Sequence, residues 1–162
     1  MSLRVERGEH LVRHALGGLD RTLEVTREAP CGLGAGEMHA SDRLTKLFAE
    51  GGHAVASLLI ENPTTIEPRQ AVTIELEAED LEGLFVDWLS ELIYRFETEH
   101  LLLREFSLSV TDSQRGLRAD CRGEPVDWNR HEPGYELKAV TYHGLRVAQT
   151  ATGWEASVIF DV

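Results

Sequence analysis

The sequence predicts an α+β fold in which two amphipathic helices pack on a mainly antiparallel β-sheet. Helical repeats of apolar residues occur between about residues 41 and 96, and alternating apolar and polar residues dominate the second half of the chain. Helices placed early and strands gathered late are typical of α+β domains. Because 162 residues is the size of one domain, we expect a single domain over residues 1–162, of which residues 1–40 are the least regular part.

The first helix is predicted from about residue 41, with Ser41 or Asp42 as its N-cap. Gly51 and Gly52 interrupt the apolar repeat, each at a cost of roughly 1 kcal/mol relative to Ala. They therefore indicate a bend or a close backbone approach. The apolar positions of this helix are Leu44, Leu47, Phe48, Val55, Leu58 and Leu59.

The second helix has the clearest pattern in the chain, with apolar residues on one face and charged residues around the other. We interpret it as a helix that faces the core. Its apolar positions are Leu81, Leu84, Phe85, Trp88, Leu89, Leu92, Ile93 and Phe96.

Strands are predicted where apolar and polar residues alternate. One short strand is expected near residues 19–26, and another follows the first helix at 72–78. A hairpin is expected from 106–110 to 117–121. Gly144 is expected to form a tight hairpin between 136–143 and 145–148, and the last strand runs over 154–160.

The charge of the chain indicates its partners. With a net charge of −12 the protein lacks the basic surface that grips phosphate backbones, so direct binding to nucleic acid is not expected. Cations and basic protein surfaces are the better candidates. The N-terminus lacks an apolar signal-peptide segment and no stretch is long enough to span a membrane, so we expect a cytoplasmic protein with Cys31 and Cys121 reduced.

The end of the chain is a candidate metal site. The last predicted strand runs directly into Asp161 and Val162, which places a side-chain carboxylate beside the terminal carboxylate. Two such charges repel unless a cation lies between them, and calcium and magnesium prefer oxygen ligands. The alternative is an acidic tail that is wholly in solvent.

Lys138 is the second residue of interest, and it is one of only two lysines in the chain. Alternation places it among apolar neighbours in a predicted strand. It is either buried against a carboxylate, with Asp161 as the obvious partner, or it is an edge-strand lysine that discourages aggregation. The pattern favours neither.

Other motifs carry less information. The glycine-rich segment 32–36 lacks the ending of a phosphate-binding loop, so a connector is expected. His10 and His14 would share a metal only if their segment were helical, and because no further ligand accompanies them we expect solvent-exposed histidines. There is no sequence motif of an ordinary hydrolase.

Several segments resemble the archease family. Residues 84–99 look like its second helix, and Gly123-Glu124-Pro125, Arg130-His131 and residues 138–145 resemble its C-terminal half. The ending Val158-Ile159-Phe160-Asp161-Val162 is similar to the usual terminus of the family. Because these motifs occur in the family's order, the resemblance extends from about Leu44 to Val162.

The resemblance implies an accessory protein and not an enzyme. Archeases assist the GTP-dependent RNA ligase of tRNA splicing and RNA repair by promoting guanylylation of the ligase and its repeated turnover. They bind a divalent cation, usually calcium. Carried over to this chain, the resemblance assigns Asp161 and Val162 as metal ligands and Lys138 as the lysine that activates the ligase.

The N-terminal part departs from the family pattern. The usual His-Thr-Ala-Asp stretch before the first strand is missing, and residues 29–40 lengthen the connection to the first helix. Asp20 is the best match for the first metal ligand because Leu23 and Val25 follow it at strand spacing, and Asp42 is the alternative. Two other functions stay open: a general chaperone or modulator of another protein, and a small metal-dependent enzyme.

Overall fold

The computed structural model describes residues 3–7, 10–17, 20–26, 40–151 and 153–162, and it describes side chains from Arg43 onward. In chain order the elements are β1 (Leu3–Arg7), β2 (His10–Gly17), β3 (Asp20–Thr26), α1 (Ala40–Leu59), a short 3-10 helix (Pro63–Thr65), β4 (Gln70–Glu77), α2 (Leu81–Glu99), β5 (Leu101–Val110), β6 (Gly116–Pro125), β7 (Ala139–Gln149) and β8 (Trp154–Asp161).

The strands form two antiparallel sheets. The larger sheet has the order β1-β2-β3-β8-β7, and the smaller has the order β4-β6-β5. Both helices contact strands of both sheets, with α1 mainly on β5 and α2 mainly on β7. The predicted class, α+β with two amphipathic helices on mainly antiparallel sheet structure, is confirmed.

The helices meet in a buried aromatic core. The indole N–H of Trp88 donates to the carbonyl of Phe48 at 2.8 Å, and the rings of Phe48 and Phe85 stack edge to face at 5.1 Å. Asp80 caps α2 by accepting from the Gly83 N–H at 2.7 Å. The apolar stripe predicted for α2 is thus its buried face, since Leu84, Phe85, Val86, Trp88, Leu89, Leu92 and Ile93 are all buried.

Two predictions about the first half of the chain need correction, those for the number of strands and for the N-cap of the first helix. Only one strand was expected before residue 40, but the structure also has β1 and β2. His10 and His14 lie in β2, where four residues span roughly 13 Å, so helical spacing does not bring them together. Helix α1 begins at Ala40, so Ser41 and Asp42 lie within its first turn and not before it. The glycine-rich segment 32–36 and Cys31 lie outside the described residues.

Cys121 is a buried free thiol in β6. Burial raises its pKa to about 12; nearby Arg95 lowers it by a smaller amount, and Asp120 raises it slightly further. A thiol with so high a pKa stays protonated at neutral pH and is a poor nucleophile. Neither α-helix in the described part of the chain has the 18-residue apolar stretch needed to cross a bilayer.

Candidate functional site

The C-terminal strand ends in an ordered tip. Alternate residues of β8 are buried in the core, and Phe160 is the last of them. Asp161 therefore belongs to the outward face of the strand, and it is exposed. Val162 is half-buried and packs against the core. The tip is fixed on both sides of Asp161.

Asp161 lies between two neighbouring strands. Its main chain pairs with Asp20 of β3 on one side and with Ala139 of β7 on the other. The backbone N–H of Lys138 donates to the Asp161 carbonyl at 2.9 Å. The positions of Asp20, Lys138, Asp161 and Val162 thus meet at one end of the larger sheet. Asp42 belongs to α1 and shares no strand register with Asp161.

Lys138 was expected to be either buried against a carboxylate or exposed at an edge strand, and in the structure it is exposed. The residue immediately precedes β7, which is an edge strand of the larger sheet. Its side chain is exposed, so it is not buried against a carboxylate. An exposed ammonium group beside the end of a fixed strand is available to another molecule.

The residues predicted to bind a metal meet at this end of the sheet. Asp161 carries a side-chain carboxylate, and Asp20 is an acidic position in register with it. Calcium and magnesium bind such oxygen ligands. Among the side chains that the structure describes, no group of three His, Cys, Asp or Glu is close enough to hold a metal. The Asp20 side chain is outside that set, and the Val162 carboxyl is not a side chain.

Strand β7 is interrupted by a bulge that the sequence pattern did not predict. Thr141 pairs with Ile159, whereas Arg146 pairs with Ser157, so β7 contains three more residues than β8 between these points. The expected hairpin at Gly144 is therefore wrong, because both flanking segments belong to one strand. Gly144, within the bulge, has φ +67°, a conformation that suits glycine. Tyr142 beside it is 65% exposed.

A buried polar cluster lies in the segment that leads to Lys138. Glu124 and His131 are 2% and 1% exposed. One carboxylate oxygen of Glu124 accepts from the Glu67 N–H at 2.7 Å and faces His131 Nε2 at 3.2 Å. The other accepts from Arg130 at 2.6 Å. Both oxygens of the carboxylate are thus paired.

Hydrogen bonds fix the protonation of this cluster. The Asp127 N–H donates to His131 Nδ1 at 2.9 Å, so Nδ1 is unprotonated and Nε2 carries the proton that faces Glu124. Burial is the largest single effect on the Glu124 carboxyl and raises its pKa. The hydrogen bonds from Arg130 and the Glu67 N–H, with the nearby positive charge, together outweigh burial and hold the pKa below its usual 4.5.

Backbone hydrogen bonds and a buried side chain fix the segment between this cluster and Lys138. The Glu132 carbonyl accepts from the Glu61 N–H at 2.9 Å, and the N–H groups of Gly134 and Tyr135 donate to carbonyls at the end of α1 at 2.8 and 2.6 Å. Leu137 is buried. The sequence marks the Glu124 and Arg130-His131 motifs only through a family resemblance. Their role as an anchor depends on contacts between distant segments, which no local pattern reveals.

Comparison with known proteins gives a consistent result. The model of the Archease protein family (MTH1598/TM1083) matches residues 37–162. A protein archease of Pyrococcus abyssi is 32% identical over 124 residues, which are 75% of this chain and 87% of the relative. One from Methanosarcina barkeri is 36% identical over 120 residues, covering 72% of this chain and 82% of the relative.

Solved structures share the fold. The solution structure of protein 1598 of Methanobacterium thermoautotrophicum has a TM-score of 0.67 at 21% identity, and the match covers 92% of this chain and 96% of that one. The crystal structure of a Thermotoga maritima protein described as an archease and possible chaperone has a TM-score of 0.52 at 16% identity, covering 82% and 100%. At these identities the similarity concerns the fold alone.

Proposed function

The chain belongs to the archease family, and from this premise we propose that it activates a GTP-dependent RNA ligase of tRNA splicing or RNA repair. In this proposal the protein promotes guanylylation of the ligase and its repeated turnover, and it performs no catalysis alone. It acts in the cytoplasm. The observation that carries the proposal is the juxtaposition of the exposed Lys138 with Asp161, whose main chain also pairs with Asp20.

Lys138 is the residue that faces the ligase. Its ammonium group is exposed, while its backbone is fixed by the bond to Asp161 and by the anchored segment before it. A fixed backbone lowers the entropy lost when a side chain is ordered in a complex. The bulge of β7, with the exposed Tyr142 four residues further along, extends the same edge of the sheet as a second contact surface.

A divalent cation, calcium in this proposal, is held by Asp20, Asp161 and Val162. When bound, the ion neutralises acidic groups that would otherwise repel one another. The chain's own contribution is to bring the ends of β3 and β8 into register so that these groups lie together. The same register joins the site to Lys138 through the Asp161 carbonyl.

The charge of the protein supports a protein partner and not RNA. A chain of net charge −12 repels a phosphate backbone, whereas it is attracted to the basic surface that an RNA ligase presents to its substrate. The activator would then bind the ligase directly without contacting the RNA.

The activation experiment uses the ligase from the same organism. Guanylylation of the ligase with GTP and the number of joined RNA ends per ligase are measured with and without this protein. We expect stimulation by the wild type and by Lys46→Ala, which removes the only other lysine, and little or none by Lys138→Ala. Unchanged turnover in the presence of the wild type would contradict the proposed function.

The metal proposal is tested separately by calcium titration. An ion that binds only the folded state raises the melting temperature as its concentration grows, by RT ln(1 + [Ca]/Kd) in free energy, or about 2.7 kcal/mol at a hundredfold excess over Kd. Asp161→Asn and Asp20→Asn should reduce this rise, and Asp42→Asn should leave it intact. If only Asp42→Asn abolishes the calcium-dependent rise in melting temperature, the first ligand is Asp42 and not Asp20.

A second candidate function is a general chaperone; the Thermotoga maritima protein of similar fold is described as a possible chaperone. It predicts that the protein suppresses aggregation of unrelated unfolded proteins without GTP, and that Lys138→Ala suppresses it equally well. Both assays on the same preparations separate the two functions. Product formation by the isolated protein without ligase would instead indicate a metal-dependent enzyme.

A further inference from the structure

Trp128 differs from the other two tryptophans of the chain. Trp88 and Trp154 are 0% and 8% exposed, whereas Trp128 is 58% exposed. An exposed indole does not contribute the stabilisation that burial of a large apolar side chain provides. Single exposed apolar residues are common, so the exposure alone indicates no function. The turn that carries this residue adds the necessary observation.

The turn from Asp127 to His131 is closely held by hydrogen bonds. The Asp127 carbonyl accepts from the N–H groups of Arg130 and His131 at 2.9 and 2.7 Å. The Asp127 carboxylate accepts from the backbone and side-chain nitrogens of Asn129, both at 3.0 Å. The buried His131 closes the turn through the Asp127 N–H. Trp128 is therefore displayed on a rigid support.

The indole of Trp128 is also supported by a packing contact. It packs edge to face on Phe96 near the end of α2, with ring centroids 6.4 Å apart and an angle of 88° between the rings. This contact leaves most of the indole surface in solvent. A rigid aromatic side chain loses little entropy on binding, and Trp is enriched among the residues that dominate protein interfaces.

The ion pairs on the two segments that carry Trp128 and Phe96 contain more acidic than basic groups. Glu99 in the last turn of α2 is exposed, and Asp127 in the turn is half-buried. Arg130 already forms ion pairs with three carboxylates and Arg95 with two, and Asp127 and Glu99 are among these partners. Carboxylates therefore outnumber cations here, and an incoming cation would meet both the indole and this excess of negative charge.

We propose that Trp128 is an anchor for an arginine side chain on the surface of a protein partner, with Asp127 and Glu99 at the rim of the contact. A guanidinium group stacks on an indole by a cation–π interaction and forms planar hydrogen bonds to carboxylates. This proposal concerns a residue other than Lys138 and does not require that the partner be an RNA ligase.

The exposed indole could also stack on nucleobases or on a second copy of the chain. Nucleic acid is disfavoured because the surrounding carboxylates repel phosphate. A second copy would bring two acidic rims together, which is also unfavourable. Binding of an arginine peptide would favour an arginine-bearing partner over nucleic acid and over a second copy of the chain.

The experiment uses the full chain and a 12-residue peptide of alternating arginine and glycine. A peptide with citrulline in place of arginine keeps the shape and removes the charge. Because the other two tryptophans are buried, a change in fluorescence on adding the peptide reports on Trp128. We expect binding of the arginine peptide only. By calorimetry, Trp128→Ala should weaken binding roughly three- to tenfold, as expected for one cation–π contact, and Trp128→Phe should weaken it less.

Tyr94→Ala is the matched control, since Tyr94 is another aromatic residue on α2 and is similarly exposed, at 57%. It should bind the arginine peptide like the wild type. Equal affinity of the wild type and Trp128→Ala, equal weakening by Tyr94→Ala, or equal binding of the citrulline peptide would overturn the proposal. So would stronger quenching of Trp128 by a uridine oligonucleotide, or self-association that Trp128→Ala abolishes.

Discussion

Glu124 is an ionised carboxylate with almost no contact with solvent, which is normally costly. The cost is offset because Arg130, His131 and the Glu67 N–H all face its two oxygens. Loss of this charge is strongly destabilising because it weakens the acceptor that these donors face inside the protein, although Arg130 keeps its ion pairs with Asp127 and Glu67. The stability of the turn and of the segment toward Lys138 therefore depends on this one side chain.

Glu124→Gln should lower the free energy of unfolding at neutral pH by about 3 kcal/mol, which corresponds to a fall in Tm of roughly 6–12 °C for a chain of this size. The folded-state pKa of Glu124 lies below 4.5, so its stabilisation is present above pH 4.5 and is lost as the pH falls below that value. The difference in Tm between wild type and variant should therefore shrink in acid. Thermal unfolding monitored by circular dichroism from pH 7 to pH 3 measures it.

Glu75→Gln is the control, because Glu75 forms an exposed ion pair with Arg118 on the smaller sheet. Exposed pairs contribute about 0–1 kcal/mol, so this variant should melt close to the wild type at every pH. A Glu124→Gln difference that stays constant down to pH 3 would show that the carboxylate charge is not the source of the stabilisation.

The candidate site residues that the sequence identified lie in strand patterns, whereas the buried polar residues that it missed do not. Asp161 and Lys138 stand out in strand patterns, and Asp20 precedes a recognisable strand, but its register with Asp161 is known only from the structure. The pairing of Glu124 with His131 depends instead on a fold that buries two polar residues of a loop-like stretch. No periodic pattern predicts such burial, and residue type alone predicts that a glutamate is exposed.

The glycine pair of α1 shows what a sequence can predict about an element. A bend or a close approach was expected, and the structure has the close approach. A Cβ on Gly52 would lie 2.8 Å from the Phe106 ring, and one on Gly51 would lie 3.0 Å from Phe85 and Leu89. The sequence pattern predicts that the two glycines interrupt the apolar repeat of the helix. Only the packing shows which side chains lie against them.

Gly52→Ala should destabilise the protein although Ala is the better helix former. The gain in helix propensity is roughly 1 kcal/mol, whereas overpacking costs about 1–3 kcal/mol. The Phe106 ring cannot move freely because it stacks on Trp88 at 5.6 Å and on His53 at 5.0 Å. We expect a net loss of about 1 kcal/mol, measured by urea unfolding.

A double-mutant cycle tests the cause. In a Phe106→Leu background the ring is absent, so Gly52→Ala should become neutral or stabilising. If Gly52→Ala is equally destabilising in both backgrounds, the loss does not arise from contact with Phe106.

The bulge in β7 shows what a local sequence pattern cannot predict about a strand. Gly144 correctly indicated a departure from regular strand geometry, yet a hairpin and a bulge both use glycine at positive φ. What separates them is whether the flanking segments pair with each other or both pair with β8. That choice is made by the register with β8, which is not visible in the local sequence.

At the scale of the whole molecule, the N-terminal segment completes the larger sheet. The family model begins at residue 37, yet β1, β2 and β3 lie before it and provide three of the five strands of that sheet. The fold therefore extends beyond the part of the sequence that the family model recognises. The match to protein 1598, which covers 92% of this chain, agrees with this.

Deletion of residues 1–26 should have a far larger effect than deletion of residues 1–9. The shorter deletion removes only the edge strand β1, and β2 becomes the new edge. The longer one removes β3 and all seven of its register pairs with β8, from Asp20–Asp161 to Thr26–Glu155. At about 1 kcal/mol per hydrogen bond the loss is on the order of several kcal/mol, a large part of the total stability of a typical domain.

An exposed β8 edge also offers unpaired backbone groups to other chains, so the longer deletion should aggregate. It should lose the calcium-dependent rise in Tm, because Asp20 is removed with β3. Size-exclusion chromatography and calcium-dependent melting of both deletions measure these effects. A monomeric 1–26 deletion that still responds to calcium would show that β3 neither supports the tip of β8 nor supplies a ligand, and the site at Asp161 would then need another acidic residue to complete it.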